Sequence, residues 1–157
     1  MVYIRNAKNE DAQGVLHLLK QVLELHAILR PDIFISGTTK YTKEELFGIF
    51  ADKNRRTYVA VDEEENVLGY ALCEIKEPPH ANNMVPFSSL YIDDLCVDGA
   101  ARGRHIGQEL FSHVKKEAKT LGCYEVILNV WEGNDGARTF YDKMGMKPKE
   151  TQMELIL

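Results

Sequence analysis

The sequence predicts a mixed α/β domain, a mostly antiparallel sheet flanked by helices. Three observations predict it. The apolar pattern switches between period two and period 3.6 in the order β-α-α-β-β-β-α-β-α-β. Three strands follow one another in the first half, two of them around a polar hairpin turn, and the later ones are separated by helices, which implies antiparallel pairing first and βαβ-like crossovers after it. The 157 residues carry no repeat, low-complexity tract or interdomain linker. One domain over 1–157 is therefore expected, burying roughly 70% of its unfolded surface.

The elements follow in order. Met1–Arg5 is a short strand. From Asn9 to Leu29, Val15, Leu18, Leu19, Val22, Leu25 and Leu29 fall on one helix face. Arg30-Pro31-Asp32 ends that helix, because the residue before proline is pushed out of the α region. "TKEE", Thr42 to Glu45, is a capping box that opens a second helix to about Asp52. Thr57–Asp62 and Val67–Ile75 read as strands around the polar hairpin turn "DEEEN". "KEPPHANNMVPF", Lys76 to Phe87, is a loop rich in proline and asparagine. Ser88–Val97 is the next strand. Arg104–Leu121 is helical, with Ile106, Leu110, Phe111, Val114 and Ala118 on one face and Gly122 as its stop. Glu125–Val130 is a strand, Asn134 or Asp135 starts a helix to Met144, and Glu150–Leu157 reads as the last strand.

Composition narrows the function. A formal net charge of -5 argues against wholesale binding to nucleic acid or an anionic membrane. No apolar run approaches the ~18 residues of a membrane span, and the charged N-terminus does not read as a signal peptide. Cys73, Cys96 and Cys123 form no CxxC pair, so reduced thiols in a cytoplasmic protein are expected. The histidines show no HExxH or HxH spacing, and no metal is expected.

"CVDGAARGRHIG", Cys96 to Gly107, stands out against this acidic background. It lies between a strand's carboxyl end and a helix's amino end, where unsatisfied backbone N–H groups and the positive end of the helix dipole favour anions. Arg102 and Arg104 add charge suited to phosphate. A basic but uninvolved turn is the competing reading. Neither GxxxxGK[ST] nor a GxGxxG after the first strand occurs.

The same segment resembles the acyl-CoA-binding motif of the GNAT family of N-acetyltransferases, Arg/Gln-x-x-Gly-x-Gly/Ala. Arg102 matches its first position and Gly107 its last, whereas His105 stands where the family usually has a glycine. "NDGARTFYDKMGMKP" is similar to a second family block, matching at Asn134, Ala137, Phe140, Tyr141 and Gly145. The two blocks lie about 30 residues apart with a strand between them, and the element order agrees with the family over essentially the whole chain.

The resemblance implies a GNAT fold and transfer of an acetyl group from acetyl-CoA to a primary amine. It puts the cofactor against Leu95, Val97, Arg102, Gly103, Arg104, His105, Ile106, Gly107 and Asn134, with the oxyanion near the amide of Leu95. Tyr141 becomes the candidate general acid, since a phenol keeps its proton at neutral pH; the alternative is a core aromatic. Asn134 is alternatively an N-cap. Asp94 is the first choice for the base, with Asp93 and Glu74 in reserve. A purely structural carboxylate, or proton transfer through water, is the alternative. Neighbouring strand residues point to opposite faces, so Asp93 and Asp94 are expected to diverge. Acceptor recognition is expected at Asp32 and Phe34 in "HAILRPDIFISG" and at the loop Lys76–Phe87. The partners expected are acetyl-CoA and an amine, with a homodimer as the candidate assembly. A silent acyl-CoA-binding module is the rival function.

Overall fold

The computed structural model describes residues 1–157. Its strands are β1 (Tyr3–Asn6), β2 (Arg55–Val61), β3 (Val67–Lys76), β4 (Ser89–Val97) and β5 (Glu125–Leu128). The helices are α1 (Ala12–Leu29), α2 (Lys43–Ala51), α3 (Ile106–Thr120) and α4 (Asp135–Lys143). One five-stranded sheet runs in the order β1-β2-β3-β4-β5. All neighbours are antiparallel except β4 and β5, which are parallel and joined through α3. The mixed sheet is therefore as expected, with a short hairpin turn between β2 and β3, a 12-residue loop between β3 and β4, and a helix at the parallel crossover.

Strand alternation divides the core. Val59, Val61, Tyr70 and Leu72 face α1 and α2, where they meet Val15, Leu18, Leu19 and Leu46. Tyr58, Ala60, Ala71, Cys73, Leu90 and Ile92 face the other way, onto Ile106, Leu110, Phe111 and Val114 of α3. The capping box at α2 is present: Thr42 Oγ1 accepts from the Glu45 amide, and a Glu45 carboxylate oxygen accepts from the Thr42 amide. The hairpin turn is held by Asp62, whose carboxylate accepts from the amides of Glu64 and Asn66. No helix is long and apolar enough to cross a membrane.

The elements expected at Arg104–Leu121 and Glu125–Val130 are shorter, at Ile106–Thr120 and Glu125–Leu128, and two departures at the ends of the chain are larger. Asn9–Asp11 is a 3₁₀ turn, so α1 itself begins at Ala12. Glu150–Leu157 forms no strand. Alternation marks a segment able to be a strand, but a strand exists only with a partner, and this one pairs with nothing. Met153, Leu155, Ile156 and Leu157 are all exposed.

Candidate active site

The sheet forks between its parallel strands. Pairing of β4 to β5 ends at Ile92↔Leu128, while β4 continues to Val97 against β3. The edge of Asp93–Val97 that faces β5 is consequently open. Leu95 and Val97 lie along it, packed on the α3 side of the sheet. Below the fork, Tyr141 projects from α4 and packs on Phe111 and Phe140.

The fork leads to the start of α3. After β4, Asp98 caps a short turn by accepting from the amide of Ala100. Gln21 of α1 steadies the turn, donating to Asp98 and accepting from the Gly99 amide. Gly103 and His105 both take positive φ, +80° and +60°. His105 is the residue before α3 and caps nothing with its side chain. The first amides of α3 are therefore unsatisfied and face outward, the arrangement that accepts an anion. Arg102 and Arg104 are exposed beside them, and neither has an ion-pair partner within the chain. The usual glycine of the motif has a physical reason here: the position is left-handed, where a glycine rests without strain. Gly107 has a different one. A Cβ there would sit 3.3 Å from the Phe140 ring and 3.6 Å from Val97. Its bareness lets α3, α4 and the end of β4 close together.

Asp93 and Asp94 do not diverge. The β3–β4 register runs Leu72↔Asp94 and then Cys73↔Ile92, so Asp93 is an extra residue in a β-bulge. A bulge breaks strict alternation. Both carboxylates consequently turn to the α1/α2 face. Asp94 accepts from the Tyr70 hydroxyl at 2.6 Å. Asp93 accepts from Lys40 Nζ at 2.9 Å and from the Tyr41 hydroxyl at 2.8 Å. Lys40, Tyr41 and Tyr70 are partners of the candidate carboxylates that sequence reasoning missed. No motif marks Lys40 and Tyr41, and Tyr70 reads as one more apolar strand residue.

Burial pushes the Asp94 carboxyl up to about 6, against the opposing pull of the Tyr70 hydroxyl and the Lys40 charge. Burial, and then the Asp94 charge, hold the Tyr141 phenol protonated well beyond its ordinary range. Cys73 and Cys96 are pushed up to about 12 chiefly by burial, so neither thiol is a ready nucleophile at neutral pH. Glu74, the other reserve, is engaged by Lys76 at 3.2 Å and Arg55 at 4.0 Å.

The remaining expected residues are already engaged within the chain. Asn134 accepts from the amide of Ala137 and so caps α4. Asp32 accepts from Arg30 at 2.8 and 2.9 Å, so its charge is already balanced. Phe34 lies between His26 and Trp131, tilted against the first and edge-on to the second, with ring centroids 5.1 and 5.3 Å away. Burial and the nearby Lys40 charge both lower the His26 pKa.

The model of the acetyltransferase (GNAT) family matches residues 22–146. A glucosamine 6-phosphate N-acetyltransferase of Arabidopsis thaliana is 36% identical over 63 residues, 40% of this chain and 40% of that protein. The chain thus matches less than half the length of this curated relative. The solved structure of a mutant BH1408 protein from Bacillus halodurans is 32% identical over 99% of both chains, with a TM-score of 0.94. The crystal structure of a glucosamine-6-phosphate N-acetyltransferase from Arabidopsis thaliana shares the fold. Its TM-score is 0.73 at 23% identity, over 99% of this chain and 98% of that one.

Proposed function

The chain belongs to the acetyltransferase (GNAT) family, and on that premise we propose that it transfers an acetyl group from acetyl-CoA to a primary amine of a small molecule. One observation carries the reading: the open edge of β4 at the fork runs directly into the uncapped, arginine-flanked start of α3. A thioester arm needs the first, since its amides pair like a short strand. A pyrophosphate needs the second.

Each residue then has a task. The amides of Ile106 and Gly107, with Arg102 and Arg104, hold the pyrophosphate, and Gly103 and His105 shape the turn that presents them. Backbone groups of Leu95 and Val97 hold the pantetheine arm along the fork. The acceptor amine approaches from the α1/α2 face. Asp94, poised near neutral pH, takes a proton from the ammonium and frees its lone pair. The carbon–nitrogen bond forms as the carbonyl oxygen gathers charge against the Leu95 amide. The carbon–sulfur bond then breaks, Tyr141 gives its proton to the departing sulfur, and the extra proton on the new amide nitrogen passes to the Tyr141 oxygen, restoring the phenol. Asn134 serves by fixing the start of α4 and so the placement of Tyr141.

Asp93 with Lys40, and the rim of Asp32, Arg30 and Phe34, select the acceptor. The names of the curated relatives direct the search to amino sugar phosphates, and Lys40 and Arg30 are cations able to meet an anionic group on such a molecule. Cys73, Cys96 and Cys123 are unpaired, as in a protein that works in the reducing cytoplasm. The test is thiol release from acetyl-CoA with a panel of amines that includes glucosamine 6-phosphate. Turnover with an amine, lost in Tyr141→Phe by on the order of 10²-fold in kcat, supports the reading. Acetyl-CoA bound without turnover of any amine replaces it with the silent binding module.

A further inference from the structure

Lys40 brings a primary amine of the chain itself to the face assigned to the acceptor. It lies between α1 and α2, outside any helix or strand. The connection is fastened on both sides of it. Upstream, the Glu24 carboxylate accepts from the Ser36 hydroxyl and the Gly37 amide. Downstream, the Tyr41 hydroxyl donates to one Asp93 oxygen at 2.8 Å. Lys40 Nζ donates to the other at 2.9 Å. The Asp93 side chain is only 14% exposed, so the lysine is placed at a site and not merely paired in solvent.

The bulge turns Asp93 and Asp94 to one face, and so sets this amine beside the carboxylate assigned as the base. The Lys40 and Asp94 charges act on each other. The amide of Leu95, assigned to the oxyanion, is two residues beyond Asp93, at most about 8 Å of chain at 3.8 Å per residue. A lysine ammonium on its flexible stem is able to cross such a gap. The other paired lysines, Lys8, Lys76 and Lys149, hold Glu65, Glu74 and Glu125 instead.

On the premise of acetyl transfer argued above, we propose that the chain acetylates its own Lys40 from acetyl-CoA. Asp94 takes a proton from the Lys40 ammonium and passes it to water. Nζ bonds to the acetyl carbonyl carbon, the carbon–sulfur bond breaks, and Tyr141 gives its proton to the departing sulfur. The extra proton on Nζ then restores the phenol. The products are Nε-acetyl-Lys40, the thiol of CoA and one proton. Holding the amine within the same molecule favours the step over attack by free lysines. Burial disfavours the Lys40 charge, but the Asp93 hydrogen bond and charge outweigh it and keep the resting amine protonated, so the event is slow and occurs once per chain. It exchanges a cation for a neutral amide and leaves Tyr41 as the side-chain donor on Asp93. The Asp93 charge is then open to the ammonium of an acceptor.

Peptide mass spectrometry of the full chain incubated with acetyl-CoA and no added amine tests this, beside thiol release with the amine panel. One acetyl group is expected at Lys40, forming roughly 10-fold or more faster than at any other lysine, with a rate constant independent of protein concentration. Tyr141→Phe is expected to slow it by on the order of 10²-fold. Acetyl groups spread evenly over the lysines, a rate constant that grows with protein concentration, or equal modification in a folded Tyr141→Phe overturns the proposal. If thiol is released with an added amine while Lys40 stays bare, the proposal falls and acetyl transfer stands. If no amine is turned over and Lys40 stays bare, both fall. Should Tyr141→Phe unfold, site preference and concentration dependence in the parent decide.

Discussion

Asp94 is where the chemistry of single residues is most exposed to test. Its carboxyl is held near 6, above its ordinary value, chiefly by burial. The ionised form is therefore the costly one in the folded state, and its contribution to stability is present at low pH and lost as pH rises through about 6. Asp94→Asn keeps an acceptor for the Tyr70 hydroxyl and removes that charge. The variant is expected to melt higher than the parent at pH above this value, with the difference closing at acid pH. The rate should behave oppositely. In the parent, kcat/KM falls below about pH 6 as the base is protonated, and in Asp94→Asn that limb disappears along with most of the activity. Thermal melts and a pH–rate profile check both. His105 is the second such residue. A non-glycine in the left-handed region carries strain of roughly 1 kcal/mol, partly offset by the entropy a glycine loses on folding. His105→Gly is expected to leave the melting temperature level or slightly raised and to tighten acetyl-CoA binding, since the backbone becomes easier to approach. Weaker binding by calorimetry would mean that the imidazole itself holds the ligand.

The starts of the helices decide how the site is placed. Asn134 caps α4 through the Ala137 amide, and α4 carries both Tyr141 and the Phe140 ring that lies against Gly107. Loss of such a cap costs about 1 kcal/mol. Asn134→Ala is expected to lower the melting temperature and kcat together, whereas Asn134→Asp, which still accepts from that amide, should restore both. If Asn134→Asp restores the melting temperature but acetyl-CoA affinity stays low, the side chain meets the cofactor directly. Element identity was largely legible in the sequence, because period, caps and prolines are local signals. The capping box at Thr42 and the stop at Pro31 are examples. Three features were not legible. The bulge at Asp93 depends on how β3 and β4 register, which no pattern within β4 alone encodes. Without it Asp93 and Asp94 would face opposite ways, and the sequence reading placed them so. Lys40 and Tyr41 reach Asp93 from more than 50 residues away in an unpatterned loop. The tail has strand periodicity but pairs with no strand.

At the scale of the whole molecule, function follows from one topological fact. The antiparallel sheet ends in a parallel pair, and the helix that makes the crossover begins at the carboxyl end of β4. Parallel strands whose pairing stops early leave a fork, and the crossover helix sets its positive end at the fork's outlet. The crossover and the strand-to-helix connection at Cys96–Gly107 were readable in the order of elements, but the fork itself was not. The width of the opening and the lack of internal partners for Arg102 and Arg104 were not readable, since both depend on what the rest of the fold leaves unpaired. Calorimetric titration of acetyl-CoA into the parent and into Arg104→Glu, at low and high salt, tests this account most directly. The account predicts one site per chain in the parent. It predicts binding weakened roughly 10- to 100-fold in Arg104→Glu, the worth of a hydrogen bond to a charged group, with the gap narrowing as salt screens the charges. No heat of binding in the parent, or equal affinity in both proteins at both salt concentrations, would contradict it.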